Sequence, residues 1–213
     1  NDFDEILKFE LIIKNIINQS KFENKKILIL GRNNKDIFNL LKNFNVKNED
    51  GKRKFEILGD EDKLRRDKFV KIVYRESPDV NIEYRTVHQS KGLECDNVIL
   101  INLKNWRAGF PNKMVDDPVL NFVKRNGDSF SYAEERRLFY VAITRAREKL
   151  YINYSDTRRD REGKEKTTLP SRFLEEIPNT LFQNEEKTPE ETLKDNISSA
   201  KAFLEMLKNK NKK

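Results

Sequence analysis

The chain has 213 residues, of which 36% are hydrophobic and 37% charged, and its formal net charge is +7 at pH 7. The length suits one large domain with appendages, and enough Ile, Leu, Val and Phe are present for one core, which excludes wholesale disorder. The basic charge favours a polyanionic partner, although many solvated surfaces are equally basic. A single cysteine, Cys95, excludes a disulfide framework and a zinc site built on several thiolates.

Targeting signals are not found in the sequence. No apolar run approaches the ~18 residues needed to span a bilayer, and no signal-peptide pattern occurs. A reducing cytoplasm is therefore the expected compartment. The chain opens at Asn1 without a methionine, which suggests a fragment of a longer protein.

The chain is predicted to alternate strands with helices. Predicted helices cover residues 3–17, with Asp2 as N-cap, and 36–44, 62–73, 132–147, 172–177 and 189–207; predicted strands cover 26–30, 55–58, 82–87, 98–101 and 149–154. Residues 105–117 and 155–168 are expected to be loops. The alternation predicts an α/β fold with a parallel sheet covered by helices on both faces. The expected division is an N-terminal helix packing on the core at 1–24, an α/β domain at 25–178 and a helical, partly frayed tail at 179–213.

The helix predicted at residues 132–147 carries an arginine in an unusual position. Its apolar stripe is formed by Leu138, Val141 and Ala142. Arg145 lies on the same stripe, seven residues after Leu138. A guanidinium on the core-facing side requires an anionic partner or a polar cleft, so a structural ion pair and a ligand site both remain open. The charged residues 134–137 at the helix start are read as a solvated, self-paired face.

Residues 86–94, Thr-Val-His-Gln-Ser-Lys-Gly-Leu-Glu, follow a predicted buried strand. Ligands of open α/β sheets bind at the carboxyl ends of the strands. At such a place Gly92 permits close approach of the backbone to a phosphate or sugar, and Glu94 can accept a hydrogen bond from a ribose hydroxyl. The alternative is an ordinary surface turn, in which His88, the single histidine, is a satisfied polar residue.

The sequence lacks the features with which a protein holds a nucleoside triphosphate by itself. No Gly-x-x-x-x-Gly-Lys-Ser/Thr loop occurs, and no pair of aspartates follows a buried strand to hold Mg²⁺. With one histidine and one cysteine, no metal site is expected.

Five segments occur in an order that is typical of one protein family. They are Ile-Leu-Ile-Leu-Gly-Arg-Asn-Asn at 27–34, the segment 86–94, Gly-Phe-Pro at 109–111, Glu-Glu-Arg-Arg-Leu-Phe-Tyr-Val-Ala-Ile-Thr-Arg-Ala-Arg at 134–147, and Leu-Pro-Ser-Arg-Phe-Leu-Glu-Glu-Ile-Pro at 169–178. Together they resemble the second motor domain of UvrD/Rep-type superfamily 1 DNA helicases, with segment 86–94 as motif V and segment 134–147 as motif VI. The resemblance covers about residues 1–178 and implies a RecA-like fold, of the P-loop NTPase type but without a phosphate-binding loop of its own.

The resemblance implies roles for three residues toward a nucleotide. In this family ATP lies between two RecA-like domains, of which the first holds the phosphates and Mg²⁺. Arg145 matches the motif VI arginine that reaches the γ-phosphate across the cleft and neutralises charge on the transferred phosphoryl group. Glu94 matches the residue that contacts the sugar, and Gly92 the backbone beside it. Because both domains must close for Arg145 to reach, hydrolysis becomes coupled to domain movement.

The resemblance also implies a track for single-stranded DNA on the opposite surface. The positions that touch the strand or line its path are Asn34, His88, Phe110 and Asn112. Contacts of this kind are independent of base sequence and sensitive to salt. The implied partners are single-stranded DNA and the N-terminal RecA-like domain of the same polypeptide, with no membrane contact. The fragment itself is expected to be a monomer, in a bacterial cytoplasm and associated with the nucleoid.

The chain departs from the family pattern at several positions. Cys95 stands where an aromatic residue usually follows the motif V glutamate. The loop at 158–166 offers Arg158, Arg159 and Arg161 where some members have an aromatic residue that stacks on a base. Only about forty residues separate the helix after Asn34 from motif V, where UvrD and Rep insert a large accessory domain, so the layout resembles DNA helicase IV. The motif IV arginine and the Walker motifs are expected upstream of this chain.

Three hypotheses follow. The first is the C-terminal motor domain of an ATP-dependent DNA helicase that translocates 3′ to 5′; the full-length protein uses ATP and Mg²⁺, and the fragment binds neither and is inactive alone. The second is a domain of a helicase-like ATPase that remodels a protein–nucleic acid complex such as RNA polymerase. The third is a non-enzymatic nucleic-acid-binding module.

Overall fold

A computed structural model describes residues 2–19, 26–42, 53–113, 132–155, 157–159 and 164–183. The chain divides into two compact units, residues 1–176 and residues 177–213. Helices of the first unit are α1 (Asp2–Ile17), α2 (Lys35–Lys42), α3 (Glu61–Asp67), α4 (Ala133–Ile143) and α5 (Arg172–Glu175). Its strands are β1 (Lys26–Gly31), β2 (Phe55–Leu58), β3 (Val70–Tyr74), β4 (Asn81–Thr86), β5 (Cys95–Ile101), β6 (Ala146–Asn153), β7 (Thr157–Arg159) and β8 (Glu165–Thr167). Short 3₁₀ helices cover Val87–Ser90 in the first unit and Asn179–Leu181 in the second.

Six strands form one sheet in the order β2-β3-β4-β1-β5-β6. Strands β4, β1, β5 and β6 are parallel neighbours, with Ile29 of β1 opposite Tyr84 of β4 on one side and Ile99 of β5 on the other. Strands β2 and β3 are antiparallel to each other, and β3 is antiparallel to β4. The predicted α/β class is confirmed and is consistent with a RecA-like domain, whereas the sheet is mixed rather than purely parallel.

The antiparallel edge contains the clearest error of the sequence prediction, which extended one helix over residues 62–73. The helix ends at Asp67, because Lys68 adopts the left-handed conformation with φ 63°. The next residues alternate, with Val70, Ile72 and Tyr74 buried, as expected of a strand with one face on the core. Strand β3 was therefore missed because Lys71, its one charged residue, continues the polar pattern of the helix before it.

The helix predicted at 132–147 is also shorter in the structure. It ends at Ile143, where the Thr144 N–H donates to the Tyr140 carbonyl, and the Arg145 N–H reaches back only three residues to Ala142. Strand β6 then begins at Ala146, three residues before the predicted strand at 149–154, because Ala146 pairs with Cys95 at the start of β5. Arg145 thus lies in the turn between α4 and β6 and not on the helix.

The remaining helices and strands agree with the predictions to within a few residues where they are described, but the prediction of a loop at 155–168 is wrong in part. The predicted loop at 155–168 contains the two-stranded ribbon β7–β8, with Thr157 opposite Thr167. Residues 102–113 contain no helix or named strand, as predicted for this loop. The ends of the predictions at 36–44 and 105–117, the predicted helix 189–207 and the side chain of Asp2 lie outside the described part. None of the helices in the described ranges has both the length and the apolar composition of a membrane span.

Helix α1 packs on the sheet through one apolar face. Ile6, Phe9, Ile13 and Ile16 are spaced three or four residues apart, and none exposes more than 1% of its surface. They share one core with side chains of β1, β4 and β5. A buried ion pair between Glu5 and the Lys104 ammonium, 2.8 Å long, adds a polar anchor on the same helix.

A buried carboxylate joins the loops at the carboxyl ends of β1 and β5. Asp36, in the first turn of α2, accepts hydrogen bonds from the Asn33 N–H at 2.8 Å and from Asn102 Nδ2 at 2.9 Å. The Tyr84 hydroxyl donates to the Asn33 carbonyl at 2.6 Å. A Cβ at Gly31 would lie 2.4 Å from that hydroxyl, so only glycine fits. Burial raises the pKa of Asp36 to about 6, against the opposing effect of these hydrogen bonds.

The raised pKa of Asp36 predicts a pH dependence of stability. The folded state holds the proton more tightly than the unfolded state, so this stabilisation is complete below the unfolded pKa of 3.8 and is lost as the pH rises through about 6. The full difference is about 3 kcal/mol. Between pH 5 and pH 7 we expect the free energy of unfolding of the wild-type chain to fall about 1 kcal/mol further than that of Asp36→Asn.

Denaturant titrations of both proteins at the two pH values measure this difference. Asp62→Asn is the matched control, because Asp62 lies in the first turn of α3 with its side chain 77% exposed. Identical pH dependence in the wild type and Asp36→Asn would show that Asp36 is not the titrating group.

Candidate functional site

The predicted site residues separate to opposite ends of the parallel strands. Loops at the carboxyl ends of β1, β4 and β5 carry Asn34, His88, Phe110 and Asn112. The turns before the amino ends of β5 and β6 carry Gly92, Glu94 and Arg145. The expectation that Gly92 and Glu94 lie at a carboxyl end is therefore wrong. Since β4 and β5 are both parallel to β1, residues 87–94 must cross from the end of β4 to the beginning of β5.

At the amino end, main-chain carbonyl groups hold the Arg145 side chain. Its Nε donates to the Val141 carbonyl at 2.9 Å, and one terminal nitrogen donates to the Leu93 carbonyl at 2.8 Å. The other terminal nitrogen donates to the Thr144 hydroxyl at 3.1 Å. In return the Cys95 N–H donates to the Arg145 carbonyl at 2.9 Å. These bonds fasten the turn after α4 to the segment before β5.

The charge of Arg145 is not paired within the described part of the chain. None of the carboxylates described there forms an ion pair with its guanidinium, which is partly exposed. By contrast, Arg147, two residues further on, pairs with Asp96 at 2.8 Å. The interpretation of Arg145 as a structural ion pair therefore finds no partner among the described residues.

Gly92 and Glu94 flank the carbonyl that Arg145 binds. Gly92 has φ +82°, and a Cβ added there would meet no atom within 4 Å, so backbone conformation rather than space favours glycine. The Glu94 side chain is exposed, and no hydrogen-bond partner for it occurs among the described residues. Cys95 is buried, its thiol lies 3.0 Å from the Lys26 carbonyl, and burial raises the pKa of the thiol.

At the carboxyl end, an ion pair connects β1 to α4. Arg32, directly after β1, donates to both carboxylate oxygens of Glu135, with the shortest N–O distance at 2.6 Å. The two side chains are only 17% and 15% exposed. The same carboxylate accepts from the Asn112 N–H at 2.9 Å. Glu135 thus joins the loop after β1 and the loop after β5 to the first turn of α4.

His88 and Asn34 lie near this ion pair and differ in their surroundings. Burial lowers the pKa of His88 below its usual 6.5, and the Arg32 guanidinium lowers it further, while Glu135 opposes the shift. The residue still lies at the exposed surface, so the burial of its imidazole is partial. Asn34 is half-buried, and none of the described residues forms a hydrogen bond with its side chain. Both side chains therefore have hydrogen-bonding capacity for a ligand.

Phe110 is not available at the surface in this structure. Its ring is 1% exposed and makes edge contacts with Phe139 of α4, at 5.6 Å between centroids, and with Phe173 of α5, at 6.0 Å. The preceding Gly109 is required by space, because an added Cβ would lie 1.9 Å from the Lys104 carbonyl oxygen. The Gly-Phe-Pro segment thus anchors its loop in the core.

Sequence reasoning missed Arg32 and Glu135 as members of the site. The run 134–137 was read as self-paired, which is correct for Glu134 with Arg137 but wrong for Glu135 and for Arg136, which pairs with Glu176. The one sequence feature that could have indicated Arg32 is its position within the Gly-Arg-Asn-Asn segment. The neighbouring residues in the sequence do not indicate that its partner, Glu135, lies 103 residues away. Among the described residues, no group of three or more His, Cys, Asp or Glu could hold a metal ion.

Residues 73–157 match the family model of the UvrD-like helicase C-terminal domain. The ATP-dependent DNA helicase PcrA of Staphylococcus aureus is 38% identical over 108 residues, which are 51% of this chain and 13% of that protein. The ATP-dependent DNA helicase Rep of Buchnera aphidicola is 37% identical over 114 residues, 53% of this chain and 15% of that protein. DNA helicase II of Haemophilus influenzae is 37% identical over 103 residues, 48% of this chain and 12% of that protein.

The chain therefore spans less than a sixth of the length of these relatives. The region matched by the family model runs from the end of β3 through β6 and includes every predicted site residue except Asn34. These matches and this fold support a C-terminal domain of a UvrD/Rep-type helicase in this chain.

Proposed function

We propose that this chain is the C-terminal motor domain of an ATP-dependent DNA helicase and supplies Arg145 to an ATP bound between it and an N-terminal motor domain. The observation that carries the proposal is the state of the Arg145 guanidinium. Carbonyl and hydroxyl oxygens orient it, while its charge has no carboxylate partner among the described residues. A cation that is held in place but not neutralised suits an anionic ligand arriving from outside the domain.

The chemistry required of Arg145 is electrostatic. Phosphoryl transfer spreads negative charge over the oxygens of the transferred group, and a guanidinium placed there stabilises that charge. The exposed Glu94 carboxylate, two residues along the chain from Gly92, accepts hydrogen bonds from the ribose hydroxyls of the same nucleotide in this proposal. Because the phosphates are held by the other motor domain, Arg145 acts only when the two domains close.

The Mg²⁺ that accompanies ATP is assigned to the N-terminal motor domain. The described residues of this chain offer no cluster of ligands that fits the ion. No step assigned to this chain therefore depends on it.

The carboxyl end of the sheet is proposed as part of the track for single-stranded DNA. Asn34 offers an amide without a partner among the described residues, and His88 offers an exposed neutral imidazole. Asn112 completes the set on the loop after β5. Phe110 contributes by holding that loop in the core, since its own ring is buried. Translocation from 3′ to 5′ is part of the proposal, on the likeness to the UvrD/Rep-type helicases.

Arg145→Lys tests the nucleotide role in the polypeptide that carries this chain together with its N-terminal motor domain. Lysine keeps the charge but loses the planar fork, so we expect DNA-stimulated ATP hydrolysis to fall about 10³-fold or more, with single-stranded DNA affinity changed far less. Steady-state ATPase assays with and without DNA measure the effect. Arg147→Lys is the matched control, because Arg147 already pairs with Asp96. Wild-type turnover in Arg145→Lys would refute the role.

Asn34→Ala tests the DNA track. Loss of one hydrogen bond to the strand is expected to weaken binding of a single-stranded oligonucleotide about 3- to 10-fold. Fluorescence anisotropy of a labelled oligothymidine at fixed low salt measures the affinity. Asn39→Ala is the control, because Asn39 is exposed on α2 five residues away. Equal affinities of the two variants would remove Asn34 from the track.

The single histidine allows a direct test of His88 in this chain by NMR. In the free chain its imidazole C2–H resonance is expected to titrate below pH 6.5, because burial and Arg32 disfavour the charged form. A bound DNA phosphate favours the imidazolium, so a saturating oligothymidine is expected to raise the pKa. A pKa unchanged by saturating DNA would place His88 away from the phosphate backbone.

A further inference from the structure

Helix α4 contacts residues of both groups of site residues. Glu135, in its first turn, lies at the carboxyl end of the sheet with Arg32 and the Asn112 N–H. Val141, in its last turn, binds the Arg145 side chain at the amino end. The six residue steps from Glu135 to Val141 span about 9 Å of helix. A regular helix of this length is stiff along its axis, so a displacement of one end is carried to the other.

The first turn of α4 is held by contacts that a DNA strand on the proposed track would reach. Arg32 precedes Asn34 by two residues, and the Asn112 N–H belongs to a residue of the track itself. The bidentate Arg32–Glu135 geometry fixes orientation as well as distance, and its low exposure protects it from screening by water. Movement of either loop must therefore move the Glu135 carboxylate or break its hydrogen bonds.

A second contact connects the same loop to the middle of the helix. The Phe110 ring packs edge-on against Phe139, and Phe139 also contacts Phe173 at 5.3 Å between centroids. The apolar contact keeps α4 against the loop, while the Glu135 carboxylate determines the position of α4 along its axis. The two contacts therefore have different roles, and only the polar one responds to a charged ligand.

The last turn of α4 is held by an equally direct set of bonds. Two backbone carbonyls, one on α4 and one before β5, receive the Arg145 guanidinium. A shift of α4 along its axis changes the distance between these carbonyls. The direction of the guanidinium is thus set by the position of the helix.

We propose that Glu135 is a positioning residue that couples the DNA track to Arg145. When a DNA strand binds the track, the bonds of Glu135 to Arg32 and to the Asn112 N–H move α4 along its axis. This movement of α4 changes the direction of the Arg145 guanidinium, which binds ATP in the proposed function. This coupling rests on the proposed function of Arg145. It predicts that loss of the Glu135 charge uncouples hydrolysis from DNA without removing the DNA-binding groups themselves.

The test compares Glu135→Gln with Glu134→Gln in the polypeptide that includes the N-terminal motor domain. Both changes remove one carboxylate charge from the first turn of α4, but the Glu134 side chain is 88% exposed and pairs only with Arg137 among the ion pairs of the described residues. ATP hydrolysis is measured against increasing oligothymidine, which gives the ratio of the maximal DNA-stimulated rate to the DNA-free rate and the half-saturating DNA concentration. We expect the ratio to fall about tenfold in Glu135→Gln and to stay at the wild-type value in Glu134→Gln.

The possible outcomes separate coupling from a structural role. An unchanged ratio in Glu135→Gln, an equal loss in Glu134→Gln, or an increase only in the half-saturating DNA concentration would each overturn the coupling. Should Glu135→Gln melt below the assay temperature, Glu135→Asp, which shortens the link but keeps the charge, is judged by the same ratio. Arg145→Lys is assayed in parallel. If it retains wild-type turnover, the proposed function fails; if it loses turnover while Glu135→Gln keeps its ratio, only the coupling fails.

Discussion

Four adjacent parallel strands give the sheet two different ends, and the arrangement of the whole site depends on that polarity. Every connection between β4, β1, β5 and β6 must return from a carboxyl end to an amino end. Residues that are close in sequence, such as His88 and Glu94, are thereby directed to opposite ends of the sheet. Residues far apart in sequence, such as Arg32 and Asn112, are brought to the same end. The proposed separation of a DNA surface from a nucleotide surface is a consequence of this geometry.

The two ends are stabilised by different kinds of polar interaction. At the carboxyl end, charged and amide side chains bind one another across loops, as in Arg32 with Glu135 and Asp36 with Asn102. At the amino end, backbone carbonyls bind a single cation, Arg145. At the carboxyl end the charged groups have partners within the domain, and these interactions fix the conformation of the loops. The second leaves a positive charge oriented but unmatched among the described residues, which suits the phosphate ligand proposed for it.

Buried apolar contacts hold the elements that carry these polar groups in place. Phe110, Phe139 and Phe173 lock the loop after β5 against α4 and α5. On the other side, α1 covers the sheet with a continuous apolar face, and the buried pair of Glu5 with Lys104 fastens it to the same loop. Leaving either Glu5 or Lys104 buried and unpaired would cost free energy of folding. The ion pair therefore also specifies the position of α1 relative to the loop.

The sequence by itself determined the α/β class, the strands β1, β4 and β5, and the two segments 86–94 and 134–147 that identify the domain, because hydrophobic periodicity and motif spacing are local properties. It also singled out Arg145, although it placed the residue on the apolar stripe of the helix. The tertiary structure alone decided that Arg145 lies in a turn, that residues 70–74 are a strand, and that Phe110 is buried. It also decided that Glu135 meets Arg32 rather than its neighbours on the helix. Those outcomes depend on pairing between residues far apart in the chain, and a carboxylate on a helix looks the same in sequence whether its partner is three residues away or 103.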